Sequence, residues 1–461
     1  MQRREFLKAA GLASAAPWLM RHAGAQPAKR PPNIVFIMVD DLGYADLGCY
    51  GSTAIETPRI DRMAREGMRF TQAYSGCTVC APARCTLMTG YHMGHAAVRG
   101  NTGGIPLPAG AVTVAQLLKD AGYATGGFGK WGLGDLATEG VPEKHGFDTF
   151  FGYYHQIHAH HYYPEYLIHN GTKVPLRNNR EKPRKTYSQY PIFEATLNFI
   201  REHQDQPFFC YAPWTPPHGR YVIPEDDPAW QKYKDKPWEK KARVAAAMVN
   251  MIDRQVGELL DLLDELDIAD NTVVFFCSDN GASYRFERAL DSSGPLRGRK
   301  RDMYEGGIRV PMIARWPGRI AADAESALPW YFPDVLPTCC ALAGIDAPAN
   351  IDGMPVTPTL LGAAAQDESR HLYWEWPTFD WRKQEYTGLI QAVRHGGWKL
   401  LRQGEDHPWE LYNLAKDPGE QHDLAEQQPE RVAALKAWIE ANRDPMPPQI
   451  EPEMPEGKKF R

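Results

Sequence analysis

The chain has 461 residues, 43% hydrophobic and 24% charged, a composition that folds and is far from that of a disordered chain. Its formal net charge of −5 excludes the basic face that nonspecific nucleic-acid binding needs. Eight cysteines are too sparse over this length for a disulfide scaffold.

Arg3-Arg4-Glu5-Phe6-Leu7-Lys8, the apolar run Ala9–Met20 and Ala23-Gly24-Ala25 read as a twin-arginine export leader over residues 1–25. That reading implies the twin-arginine export machinery as a partner, folding before export, and a periplasmic or secreted product. No later stretch has the apolar length of a membrane span. Asn33-Ile-Val-Phe-Ile-Met-Val39 is a continuous apolar run that reads as a buried parallel strand. It stops at Asp40-Asp41, which puts two carboxylates at the sheet edge where open α/β folds bind ligands. Pro58–Gly67 is expected to be a helix and Met68–Tyr74 a strand. Cys77-Thr-Val-Cys80-Ala-Pro82-Ala83-Arg84-Cys85 follows, running to Gly90. Pro82 suits a helix opening and Gly90 a helix close, which sets Cys80 at a helix mouth that favours an anion.

Val112–Ala121 reads as a helix and Tyr123–Phe128 as a strand that leads into Gly129-Lys130-Trp131-Gly132. A lysine among glycines can meet an anion while the backbone comes close. Tyr153–Tyr163 packs four histidines and four tyrosines into one loop, read as a wall facing substrate. Pro207–Ala212 is another apolar strand, and His218 follows it at the same edge. Ala242–Leu266 repeats apolar residues at three- and four-residue steps and reads as a long helix. It feeds the strand Thr272–Cys277, which ends in Ser278-Asp279-Asn280-Gly281. Two such edges can supply four hard oxygen ligands to one cation, as Ca²⁺ prefers. Arg297-Gly-Arg-Lys300-Arg301 is a basic knot, and with Arg84 and Lys130 it suits an anionic substrate.

Past Ala363 the composition shifts. Tyr373–Trp381 is aromatic, Leu389–Arg394 and Trp398–Leu401 read as a hairpin around Gly396-Gly397, and Pro429–Arg443 reads as a closing helix. The fold class expected is α/β: a large, mostly parallel (mixed) sheet flanked by helices, plus a small α+β portion with an antiparallel sheet. The boundaries expected are 1–25 for the leader, 26–363 for the catalytic portion and 364–461 for the small one.

With these residues in hand, the chain resembles the type I sulfatases of the alkaline-phosphatase superfamily, of the arylsulfatase A and galactosamine-sulfatase kind. The resemblance is carried by Cys80-x-Pro82-x-Arg84 continuing to Leu87-x-Thr89-Gly90. Asp40-Asp41, Gly129-Lys130-Trp131, Pro217-His218, Ser278-Asp279-Asn280-Gly281, Lys300 ahead of Tyr304-Glu305-Gly306-Gly307, and Glu410–Leu414 fall in family order. It implies that Cys80 is oxidised to formylglycine (3-oxoalanine) by a maturation enzyme, and that the hydrated aldehyde is the nucleophile. It implies that Asp40, Asp41, Asp279 and Asn280 hold Ca²⁺ together with residue 80. Arg84 would stabilise the modified residue, Lys130, Lys300 and His218 would grip the sulfate, and His218 or Lys300 would protonate the leaving oxygen.

Two positions depart from the family pattern: Ala83 stands where serine is usual, and Gly132 where many relatives carry a histidine base. His158 or His160, from the histidine-rich loop, is expected to fill that second gap. The substrate expected is a sulfated carbohydrate or an aryl sulfate, with the aromatic residues at 153–166 and 373–381 stacking on sugar faces. A phosphonate or phosphodiester hydrolase using the same groups is the enzymatic alternative. An exported binding protein with an unmodified Cys80 is the non-enzymatic one.

Overall fold

The computed structural model describes residues 30–180, 184–283, 286–363, 369–380, 382–383 and 385–450. The expected leader at 1–25 and Trp381 of the aromatic stretch lie outside them. Pro31 onward falls in one compact unit. Among the described residues no helix is long and apolar enough to cross a membrane.

Four parallel strands form the centre of a ten-stranded mixed sheet: β1 (Asn33–Val39), β2 (Ala124–Lys130), β3 (Phe208–Trp214) and β4 (Thr272–Ser278), in the spatial order β4-β1-β3-β2. Every residue of β1, β3 and β4 is buried, which is why these strands read as unbroken apolar runs. Alternate side chains go to opposite faces. Ile34, Phe36 and Met38 enter one hydrophobic core, and Val35, Ile37 and Val39 enter the other. Helix α1 (Cys80–Thr89) packs in the first core and the long helix α2 (Lys240–Glu265) in the second. Met312–Arg315 runs antiparallel beside β4 and makes the sheet mixed.

The expected strand Met68–Tyr74 is split into Met68–Phe70 and Ala73–Tyr74. The histidine-rich segment is not one loop. It opens on the end of the strand Thr149–Tyr153 and contains a short helix, Gln156–Ala159. The aromatic stretch is the strand His371–Asp380, the edge of a four-stranded antiparallel sheet that continues through Glu385–His395, Trp398–Arg402 and Glu410–Asn413 in that order. Leu372 and Trp374 face one core and Tyr373 another, so burial on both faces removes the alternation that marks a half-buried strand.

This small sheet holds the loop that carries Lys300. Lys399 Nζ donates to Glu305 Oε1 at 2.9 Å and to Glu420 Oε1 at 2.8 Å, with all three side chains fully buried. Arg297 Nη1 donates to Tyr412 Oη at 2.9 Å and to the Glu420 carbonyl at 2.8 Å. Residues 297–305 are therefore pinned at both ends by the sheet.

Candidate active site

The carboxyl ends of the central strands converge. β1 delivers Asp40 and Asp41, β4 delivers Asp279 and Asn280, β2 ends on Lys130, and β3 leads to His218. Asp41 takes a left-handed backbone (φ 65°), uncommon outside glycine, which lets two adjacent carboxylates both contribute to the cluster. The two acidic edges are stitched together. Asp279 N–H donates to the Val39 carbonyl at 2.9 Å, and Asp41 N–H donates to Asp279 Oδ1 at 3.2 Å.

Helix α1 starts at Cys80 after an extended Val79 and closes on Gly90, whose φ of 75° needs no side chain. All ten of its residues are buried. Arg84 lies one turn beyond Cys80 and so shares its face. Its Nη2 and Nε donate to Asp279 Oδ2 at 2.7 and 3.2 Å, and its Nη1 donates to the Lys130 carbonyl. Burial pulls the guanidinium pKa down, but the Asp279 carboxylate more than offsets this, so Arg84 stays charged. Cys80 Sγ lies 3.4 Å from Asp40 Oδ1 and 3.2 Å from Lys300 Nζ. Burial and the Asp40 carboxylate push its thiol up to about 12, so the helix mouth does not make it a thiolate.

Three cations face three carboxylates. Lys130 Nζ donates to Asp40 Oδ2 at 2.5 Å, Lys300 pairs with Asp41 Oδ1, and Arg84 pairs with Asp279. Burial would raise the Asp40 pKa, but Lys130, His218, Arg84 and Lys300 hold it well below the usual carboxylate range. Burial and Asp40 push Asp279 up to about 6. His218 Nε2 lies 3.5 Å from Asp41 Oδ2, and burial pushes this imidazole down to about 4.

The donor set fits a cation. One ligand atom from each of Asp40, Asp41, Cys80 and His218 lies within 4.8 Å of the others. Asn280 Nδ2 donates to Asp41 Oδ1 at 2.7 Å, yet Asn280 Oδ1 and Asp41 Oδ2 are buried with no hydrogen-bond partner among the described residues. Buried oxygens are rarely left so, and these are hard acceptors of the kind Ca²⁺ takes.

A cavity of about 600 Å³ opens over this cluster, lined from the buried Cys80 and Lys300, past His218 and His160, to the exposed Arg301. Of the two loop histidines singled out, the fold brings His160 to the site and not His158. The His160 ring stacks on His218 at 3.9 Å between centroids, while His158 packs against Tyr153 and Tyr166. A Cβ at Gly132 would meet Arg84 Cδ and Gln156 Cβ at 3.7 Å, ordinary contact, so its φ of 82° rather than space favours glycine there. Lys130 is wholly buried behind Asp40. Sequence reasoning missed Asn101 and Thr102, and took in Gln156 only as part of the histidine-rich wall. Gln156 Nε2 donates to the Asn101 carbonyl at 2.8 Å, and Asn101 Oδ1 accepts the Ala81 N–H of α1 at 3.1 Å. These residues carry no periodic signal. Trp376 and Phe379, within the aromatic stretch, form part of the cavity wall.

Known proteins resemble this chain over most of its length. The Sulfatase family model matches residues 32–345, and the one for N-sulphoglucosamine sulphohydrolase, C-terminal, matches residues 299–443. N-acetylgalactosamine-6-sulfatase of Homo sapiens is 32% identical over 462 residues, covering 87% of this chain and 83% of its own. Arylsulfatase A of Homo sapiens is 33% identical over 470 residues, covering 91% and 89%. Among solved structures, Ps i-CgsB in complex with k-i-k-neocarrahexaose has a TM-score of 0.77 at 28% identity, covering 90% of this chain and 94% of that one.

Proposed function

The chain belongs to the sulfatase family, and on that premise we propose that it cleaves sulfate from a sulfated carbohydrate, with residue 80 matured to formylglycine and Ca²⁺ bound beside it. The observation that carries this reading is Cys80 at the first turn of α1, between Asp40 and Lys300, with Arg84 one turn on and bonded to Asp279. When present, the hydrated aldehyde supplies the attacking hydroxyl and Ca²⁺ supplies the charge that acidifies it.

The chain's own residues divide the remaining work. Asp40, Asp41, Asp279 and Asn280 would hold the cation together with residue 80. Arg84 neutralises Asp279 and locks α1 to the strand ends. Lys130 and Lys300 pair with Asp40 and Asp41 here. If a cation took over those carboxylates, the two ammonium groups would be free to hold the sulfate, Lys300 from the cavity wall and Lys130 from behind it. Lys300, held charged by the carboxylates around it, is the group that can deliver a proton to the leaving oxygen; His218, pushed down by burial, can do so only if the bound anion raises it. His160 is assigned to accept a proton where Gly132 offers no base: burial keeps its ring neutral, and its Nε2 has no partner among the described residues. Residues 1–25 are assigned to twin-arginine export and a maturation enzyme to residue 80. Residues 26–363 are assigned to catalysis, and 364–461 to a small portion that walls the cavity.

Sulfate release from defined sulfated mono- and disaccharides, run beside 4-nitrophenyl sulfate and an aryl phosphonate, tests the reaction. Faster turnover of the phosphonate than of every sulfate ester would sink the reading. Calcium has a readout independent of activity. Chelation is expected to lower the melting temperature, and Ca²⁺ at about 100 times its dissociation constant to restore about 2.7 kcal/mol. An unmoved melting temperature removes calcium from the account. His160→Ala is expected to lower kcat by about 10²-fold with little change in KM, while His158→Ala turns over like wild type. Wild-type kcat in His160→Ala would end the assignment.

A further inference from the structure

Lys300 and Arg301 are adjacent, yet they reach different parts of the cavity. Lys300 is buried against Cys80 and Asp41, whereas Arg301 is exposed and lines the same cavity further out. Arg301 adopts φ 78°, a left-handed backbone unfavourable for a long side chain. That conformation is held by its own N–H, which donates to Thr78 Oγ1 at 2.8 Å and to the Thr78 carbonyl at 3.2 Å, two residues ahead of Cys80. The strain is thus tied to the segment that carries residue 80.

Neighbouring arginines are committed to the fold. Arg297 is bonded to Tyr412 and the Glu420 carbonyl, and Arg309 to the Thr71 carbonyl. The Arg301 guanidinium has no hydrogen bond or ion pair among the described residues. Among the described residues no aspartate or glutamate lines the cavity, so none of them neutralises that charge within it. The wall of the same cavity also offers Thr102 Oγ1, Gln156 Oε1 and Trp376 Nε1, buried polar atoms that lack a partner among the described residues. A hydroxyl, an amide oxygen and an indole N–H suit sugar hydroxyls, which both donate and accept.

We infer that the cavity contains a second anion subsite at Arg301. Its substrate is a carbohydrate sulfate ester with a further anionic group, a carboxylate or another sulfate, on the same sugar or the next one. Thr102, Gln156 and Trp376 bond the ring hydroxyls. This rests on the reading of the Cys80 end as the sulfate-cleaving centre. A fork of guanidinium N–H groups matches either anion in a way that a neutral side chain cannot.

Calorimetry on the full chain produced without its maturation enzyme, so that probes are not turned over, tests the subsite. The probes are N-acetylgalactosamine 6-sulfate, with one anion, N-acetylgalactosamine 4,6-disulfate, and the chondroitin 6-sulfate disaccharide, whose neighbouring uronate is a carboxylate. At least one two-anion probe is expected to bind about tenfold more tightly than the single-anion probe. Arg301→Gln should erase that gain while leaving the single-anion probe within about twofold, and Arg301→Lys should restore part of it. Whichever two-anion probe shows the gain identifies the second anion. Equal affinities for all three, no binding of either two-anion probe, or a gain that survives Arg301→Gln would overturn the subsite. Failure of the sulfatase reading looks different: the matured enzyme releases no sulfate from any ester, whatever Arg301 does to binding.

Discussion

Replacing Cys80 with serine is expected to reduce sulfate release by at least roughly 10³-fold while leaving the melting temperature within about a degree of wild type. The substitution is nearly isosteric, and the site is already polar, with Asp40 and Lys300 ready to bond a hydroxyl. Stability therefore has little reason to change. Activity does, for two reasons. A maturation enzyme specific for cysteine does not oxidise a serine side chain to the aldehyde, and a simple hydroxyl that attacked sulfur would be left as an ester waiting for water. Only a hydrated aldehyde has a second hydroxyl to expel the sulfate. Mass spectrometry of the peptide containing residue 80 separates this account from an ordinary cysteine enzyme. Wild-type protein from its native host should show the aldehyde, and a thiol mass in active protein would refute formylglycine. Cys77 and Cys85 serve as controls. Both are buried, Cys77 Sγ lies 3.7 Å from the Glu375 carbonyl, and their thiols are pushed up by burial. Their replacement with alanine should leave turnover near wild type.

The contrast among these cysteines shows which parts of the site the sequence carries. β1, β3 and β4 are legible because each is buried on both faces and followed at once by polar residues. Asp40, Asp41, Asp279, Asn280 and His218 could be set at one edge by that rule alone. β2 is harder. Its glycines give no side-chain signal, and packing rather than strand propensity selects them. A Cβ at Gly129 would lie 2.1 Å from the Pro213 carbonyl oxygen, and one at Gly126 would lie 2.7 Å from the Phe199 ring. Lys130 therefore read as a loop residue although it ends the strand.

Long-range placement is harder still. His158 and His160 are two residues apart, and only the short helix Gln156–Ala159 decides which of them reaches the cavity. Trp376 stands far along the chain from Cys80, and the small antiparallel sheet brings it to the cavity wall. Lys399 is still less visible. In sequence it is a charged residue in a short strand, but in the fold it is a buried cation between Glu305 and Glu420 that anchors the Lys300 loop.

Arg84 is where stability and chemistry meet, and Arg84→Met is expected to destabilise the protein by about 3–5 kcal/mol. The guanidinium is fully buried, bonds Asp279 Oδ2 through two nitrogens, lies 3.5 Å from Asp40 Oδ2 and caps the Lys130 carbonyl. Methionine fills the volume but leaves two buried carboxylates short of a counter-charge and one carbonyl short of a donor. Lysine keeps the charge but has no fork, so Arg84→Lys should retain part of the stability. It should still lose activity, because α1 and residue 80 are no longer held against the strand ends.

The loss should depend on pH in calcium-free buffer. Folded Asp279 already sits at about 6, above its unfolded value of 3.8, because of burial and Asp40. A carboxyl with a raised folded pKa binds more protons folded than unfolded in that interval, so its contribution to stability falls as pH rises from about 4 to 6. Without Arg84 that pKa rises further and the interval widens upward. The Arg84→Met deficit should therefore be larger at pH 7.5 than at pH 5, and Ca²⁺ should recover part of it by supplying the missing positive charge. Denaturant midpoints at the two pH values, with and without Ca²⁺, measure this. A deficit independent of both would mean that Arg84 acts by packing alone.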